Sequence, residues 1–110
     1  MFRSMSLAIV LTVCATGPAA AQDAKARGER LFTDQKCNLC HAIAGKGNAK
    51  GALDEVGNKL SADEIRQWLT DTKAMTAKTK ADRKPEMKVY TLAKDEVDAL
   101  VAYLSTLKKK

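Results

Sequence analysis

The residues best equipped for chemistry lie together at Cys37-Asn38-Leu39-Cys40-His41. On a helical turn, side chains at positions i, i+3 and i+4 share one face. Two sulfurs on such a face can each form a thioether to the edge of a flat ring, while the next imidazole reaches a metal at its centre. Cys-x-x-Cys-His at this spacing is the attachment pattern of a c-type haem. Cys37 and Cys40 would bind that group and His41 would ligate its iron. A zinc site takes about four ligands, yet His41 is the only histidine and no second cysteine pair follows. A thioredoxin-like dithiol needs a strand–helix–strand context, which the helical patterning denies. No nucleophile–base pair, carboxylate pair or phosphate-binding glycine loop is recognisable. The chain is therefore not read as an enzyme.

With one histidine, a second imidazole on the iron is excluded. The sulfur donors beyond the first residues are Met75 and Met87. A methionine more often fills a gap or sits on the surface than binds a metal. The residues alone leave three choices: Met87, Met75 or an open sixth position.

The elements that must position these groups are helical. Over 23–35, Ala24, Gly28, Leu31 and Phe32 recur at three- and four-residue spacing. Gly28 weakens that helix by up to ~1 kcal/mol against alanine, and a close helix–helix approach would justify it. Residues 44–59, with Gly45, Gly47, Gly51 and Gly57 among polar residues, read as loop. Ser61-Ala62-Asp63-Glu64 is a capping box opening a short helix whose apolar side is Ile65, Trp68 and Leu69. Residues 71–89 are polar and lysine-rich, and Pro85 argues against regular helix there. The last helix starts at Thr91 or Lys94 and carries a stripe of Val97, Leu100, Val101, Leu104 and Leu107. Lys108, Lys109 and Lys110 suit its C-terminal end, where the helix dipole favours cations. The expected fold class is all-α.

The first residues differ from the rest. Arg3 precedes an apolar run over 7–15, broken only by Thr12, and Ala19-Ala20-Ala21 follows. A basic start, short apolar middle and A-x-A end describe a secretory signal peptide. The run is well short of the ~20 residues that span a bilayer. Val13 before Cys14 does not fit a lipoprotein signal. Cleavage after Ala21 divides the chain into a leader, 1–21, and one domain, 22–110, delivered to the periplasm with no membrane span.

The full chain has 110 residues and a net charge of +6, and residues 22–110 carry +5. A domain this short buries little surface and needs extra stabilisation. Two cysteines three positions apart cannot staple it, because the loop they would close is too small. Its aromatic residues are only Phe32, Trp68, Tyr90 and Tyr103. A large flat cofactor would fill such a core.

Over nearly all of residues 23–108 the chain resembles the class I cytochromes c, mitochondrial and bacterial. Gly28 and Phe32, four apart ahead of Cys37, look like that family's N-terminal helix, and Leu100-Val101-Ala102-Tyr103-Leu104 like its C-terminal helix. The resemblance implies that these two helices cross with the glycine at the contact, and that short helices and loops wrap one covalent haem c. Gly51-Ala52-Leu53 stands where the family has Gly-Pro-Leu, whose proline carbonyl accepts a hydrogen bond from the haem histidine. Alanine keeps the carbonyl, so Ala52 is expected to receive that bond. The family's ligand-to-helix spacing favours Met87, 16 residues before Tyr103, over Met75, 28 before it. Trp68 sits where related cytochromes pack a tryptophan near the haem, with its N–H toward a propionate.

The function so implied is transfer of one electron between periplasmic redox partners. A sensor or enzyme with an open iron position, and a subunit held to one oxidoreductase, are the competing readings. Residues 73–88 gather Lys73, Lys78, Lys80, Arg83, Lys84 and Lys88 against Asp82 and Glu86, a net +4. That patch would steer a partner with an acidic docking surface. No nucleic-acid partner is expected of a secreted cytochrome.

Overall fold

A computed structural model describes residues 18–109 of the chain, and within it α-helices dominate. Helix α1 (Pro18–Asp34) leads through a 3₁₀ turn (Cys37–Leu39) to a minimal hairpin, β1 (Ala42–Ile43) and β2 (Lys46–Gly47). A second 3₁₀ turn (Ala49–Gly51) precedes α2 (Val56–Lys59), α3 (Ala62–Thr70), α4 (Thr72–Thr79) and α5 (Lys94–Ser105). Residues 1–17, most of the expected leader and with them Cys14, lie outside the described residues. The proposed cleavage point after Ala21 falls within α1, which starts five residues before the expected Asp23. Alanines propagate a helix well. No helix among the described residues is long and apolar enough to cross a membrane.

The core forms where α1 and α3 pack on α5. Helix α5 contributes Val97, Ala99, Leu100, Val101, Tyr103 and Leu104; α1 adds Leu31 and Phe32, and α3 adds Ile65 and Leu69. Gly28 sits at the α1–α5 contact. A β-carbon there would collide with the Ala99 carbonyl oxygen and come within 2.6 Å of Tyr103 Cβ. Hydrogen in place of a methyl group lets the two backbones meet. One turn on, Phe32 and Tyr103 pack edge to face at 6.3 Å between ring centroids, a favoured aromatic geometry.

The capping box at Ser61 forms, with Glu64 N donating to Ser61 Oγ at 3.1 Å and Ser61 N to Glu64 Oε1 at 3.0 Å. The expectation that 71–89 holds no regular helix is corrected by α4, which buries Thr72 and Met75. Proline disrupts only its own turn and the residue before it, and Pro85 lies beyond Lys80, whose left-handed φ of 54° ends the helix. The stretch 44–59 is not wholly loop either, since β2, a 3₁₀ turn and α2 occupy parts of it. Lys108 and Lys109 lie past the end of α5, so they do not cap its dipole as expected.

Candidate haem site

The 3₁₀ turn at Cys37 is closed by Cys40 N donating to Cys37 O at 3.1 Å and His41 N to the same oxygen at 2.9 Å. This tight turn brings Cys37, Cys40 and His41 to the wall of one cavity of about 450 Å³. Its size is that of a ligand pocket rather than a packing defect. Most of its remaining wall is apolar, including Leu53, Val56, Leu60, Leu69 and Leu104. Met87 lines the same cavity from a distant part of the chain, on the irregular segment between α4 and α5.

Met75 is buried on α4 and does not line the cavity. The structure therefore brings Met87 together with Cys37, Cys40 and His41, and leaves Met75 out. Trp68 also borders the cavity.

The donor chemistry fits haem rather than its rivals. His41 Nδ1 lies 2.9 Å from the Gly51 carbonyl oxygen. A carbonyl can only accept, so Nδ1 carries the proton and the Nε2 lone pair is left for a metal. Burial holds the imidazole below its ordinary pKa, partly offset by the bond to Gly51, and the nearby Arg83 cation adds to the lowering. A neutral imidazole with a fixed tautomer is the form that ligates. Burial pushes the Cys37 thiol up, against the opposing contact with Tyr90. Redox-active dithiols need the opposite shift. Among the described residues no three histidine, cysteine, aspartate or glutamate side chains converge as they would on a single ion. Donors spread around an apolar slot suit a wide, flat macrocycle carrying its own metal.

The carbonyl that orients His41 belongs to Gly51, one residue before the expected Ala52. Ala52 is instead tied to Ala42 in a parallel bridge, with Leu53 N donating to Ala42 O at 2.8 Å. That bridge leaves the preceding carbonyl aimed at the ring. Gly51 has a second constraint, since a β-carbon there would collide with the Cys40 carbonyl oxygen and Arg83 Nη1.

Arg83 is the residue that sequence reasoning misplaced. Counted among the outward cations, it turns inward, lines the cavity, and donates from Nη1 to Cys40 O at 2.6 Å. Only its position four residues before Met87 hinted at such a role. Lys84 pairs with Glu86 at 3.0 Å, and Lys88 lies over the Tyr90 ring.

Comparison with known proteins gives a consistent result. The family model described as "Cytochrome c" matches residues 25–108. Among curated proteins, the chain is 25% identical over 91 residues to "Cytochrome c oxidase subunit 2" of Alkalihalophilus pseudofirmus (strain ATCC BAA-2126 / JCM 17055 / OF4). That alignment covers 74% of this chain and 25% of the relative, so the chain spans about a quarter of that protein's length. No solved structure matches the chain.

Proposed function

The chain belongs to the cytochrome c family, whose members transfer electrons through haem, and from that membership we propose a periplasmic carrier of one electron on one covalent haem c. Cys37 and Cys40 would hold the haem by thioethers, and His41 and Met87 would ligate its iron. The observation that carries the reading is the convergence of Cys37, Cys40, His41 and Met87 on one apolar cavity. The bound haem would supply a one-electron iron couple, with a methionine ligand raising its potential.

The protein's own share is orientation and exclusion. Gly51 O fixes the His41 ring and its tautomer. The leucines and valine that line the cavity would keep water from a bound haem and so favour its less charged reduced state. With His41 and Met87 both given to the iron, no position would be left for a substrate, so no enzymatic turnover is assigned. The exposed large apolar residues among those described are Leu39, 68% accessible, and Val89, 54% accessible. One lies between the two cysteines and the other two residues after Met87. Both are close in sequence to residues of the site, and a docked redox protein would cover them.

A second reading has one observation behind it. The likeness to part of an oxidase subunit favours a terminal oxidase as the partner, either docked transiently or held as a subunit. The test of the main reading is direct. Purified from periplasm after removal of residues 1–21, the protein should keep its colour through acid–acetone extraction and its ferrous form should not bind carbon monoxide. Haem that extracts freely would sink the covalent assignment, and ready carbon monoxide binding would replace the carrier by an open-site sensor or enzyme. Co-purification with a membrane oxidase at high salt would favour the permanent subunit.

A further inference from the structure

Residues 82–92, which carry Met87, make no backbone–backbone hydrogen bond to the rest of the described chain. The ladder stops with Ala81 N on Thr76 O and resumes at Val97 N on Ala93 O. What holds such a segment must be side chains. Met87 and Leu92 pack against the core, but apolar contact is non-directional and does not fix a loop's position along the surface. The Tyr90 hydroxyl is 3.5 Å from Gln35 O, too long to count as a strong hydrogen bond. Lys84 and Glu86 pair with each other inside the segment. The Tyr90 hydroxyl also meets the Cys37 sulfur, a weak acceptor. The strongest tie is the 2.6 Å bond from Arg83 to Cys40 O, which joins residues 43 apart in sequence. It is charge-assisted, part-buried, and made to an oxygen that takes no backbone donor. Gly51, by lacking a β-carbon, leaves room for the guanidinium.

We infer that Arg83 is a positioning residue that fastens the Met87 segment to the turn bearing Cys40 and His41, and so protects the Met87–iron bond against exchange for outside ligands. This rests on the reading of Met87 as the sixth ligand. A segment without backbone anchors opens locally at low cost. Each opening would expose the iron to a competing donor. The Arg83 bond must break for Met87 to swing away, and its strength is thereby added to the cost of opening.

The experiment is an imidazole titration of the ferric holoprotein, followed by loss of the weak near-red band that marks methionine on iron. Arg83→Met keeps the length and removes the donor and charge. It is expected to bind imidazole about tenfold more tightly, equivalent to ~1.4 kcal/mol. Ser61→Ala lowers stability through a distant helix cap and is expected to shift the affinity less than about twofold. Arg83→Lys, which keeps a donor but not the planar fork, is expected to fall between, at about threefold, and decides the matter alone if Arg83→Met does not mature. An unshifted affinity in the Arg83 variants, or an equal shift in Ser61→Ala, would overturn the inference. A wild type with no near-red band is a different failure: it removes Met87 as ligand, and this inference with it.

Discussion

The two methionines differ in what surrounds them, and that difference is testable one residue at a time. Met87→Ala is expected to abolish the near-red ferric band and lower the reduction potential, because a sulfur ligand favours ferrous iron. Met75→Ala should leave both nearly intact while costing about 2–5 kcal/mol of stability as a buried large-to-small change. Visible spectra and equilibrium unfolding on the two variants separate these outcomes, and the reverse pattern would transfer the ligand role to Met75. At this scale the sequence was most legible where chemistry is contiguous. Two thioethers and an imidazole ligand on one ring would call for neighbouring residues, and Cys37, Cys40 and His41 stand together. Contacts made by folding back were hidden. Nothing local in Arg83 tells a surface cation from one bonded to Cys40 O, 43 residues away. The shift from Ala52 to Gly51 as partner of His41 depends on the Ala42–Ala52 bridge, a pairing no local pattern announces.

Elements were legible where their signals are local and strong. Ser61 and Glu64 marked the start of α3 because both bonds of a capping box lie within one turn. Ser61→Ala should therefore cost about 1 kcal/mol, measured by denaturant unfolding with an unchanged spectrum. Helix α4 was obscured by composition: its apolar face is only Met75 and the methyl of Thr72, and its charges are lysines. Its threonines spend their hydroxyls inside the helix, Thr76 Oγ1 on Thr72 O at 2.9 Å and Thr79 Oγ1 on Met75 O at 2.7 Å. That bonding hides a buried side in a sequence that reads as polar. Gly28 shows an element-scale contest whose sign can be decided. Alanine would gain up to ~1 kcal/mol of helix propensity. Its methyl would meet the Ala99 carbonyl of α5, and overpacking of this kind costs about 1–3 kcal/mol. Backbone cannot swing aside as a side chain can, so packing wins and Gly28→Ala is expected to destabilise the holoprotein. A stability equal to or above wild type would mean that α1 and α5 are not in close contact.

For the molecule as a whole, the cavity decides how folding depends on the cofactor. An empty apolar space of about 450 Å³, at roughly 24 cal/mol per Å³, would cost on the order of 11 kcal/mol. Small domains have about 5–15 kcal/mol in total. A variant with both Cys37→Ser and Cys40→Ser, prepared without haem, should therefore lack fixed tertiary structure, seen as loss of near-ultraviolet circular dichroism and of a cooperative melt. Charge is the other property of the whole molecule. The cations expected over 73–88 are divided by the fold. Lys73 and Lys78 ride on α4, Lys80 ends it, Arg83 is turned inward, and Lys84 and Lys88 stand on the segment beside Met87. Their common work is then long-range rather than local, since the Lys84–Glu86 pair is exposed on both sides and exposed pairs contribute little stability. A one-signed field on the side that carries Met87 would raise the rate at which an acidic redox partner arrives with the haem side foremost. Salt screens such a field beyond about 8 Å at physiological ionic strength. Electron-transfer rates with the natural partner are thus expected to fall as salt rises, and Lys84→Glu with Lys88→Glu should slow the reaction at low salt and flatten the dependence. Stopped-flow measurement across a salt series checks this. Rates independent of salt, or rising steadily with it, would place the partner on another face, because a charge that does not face the encounter cannot steer it.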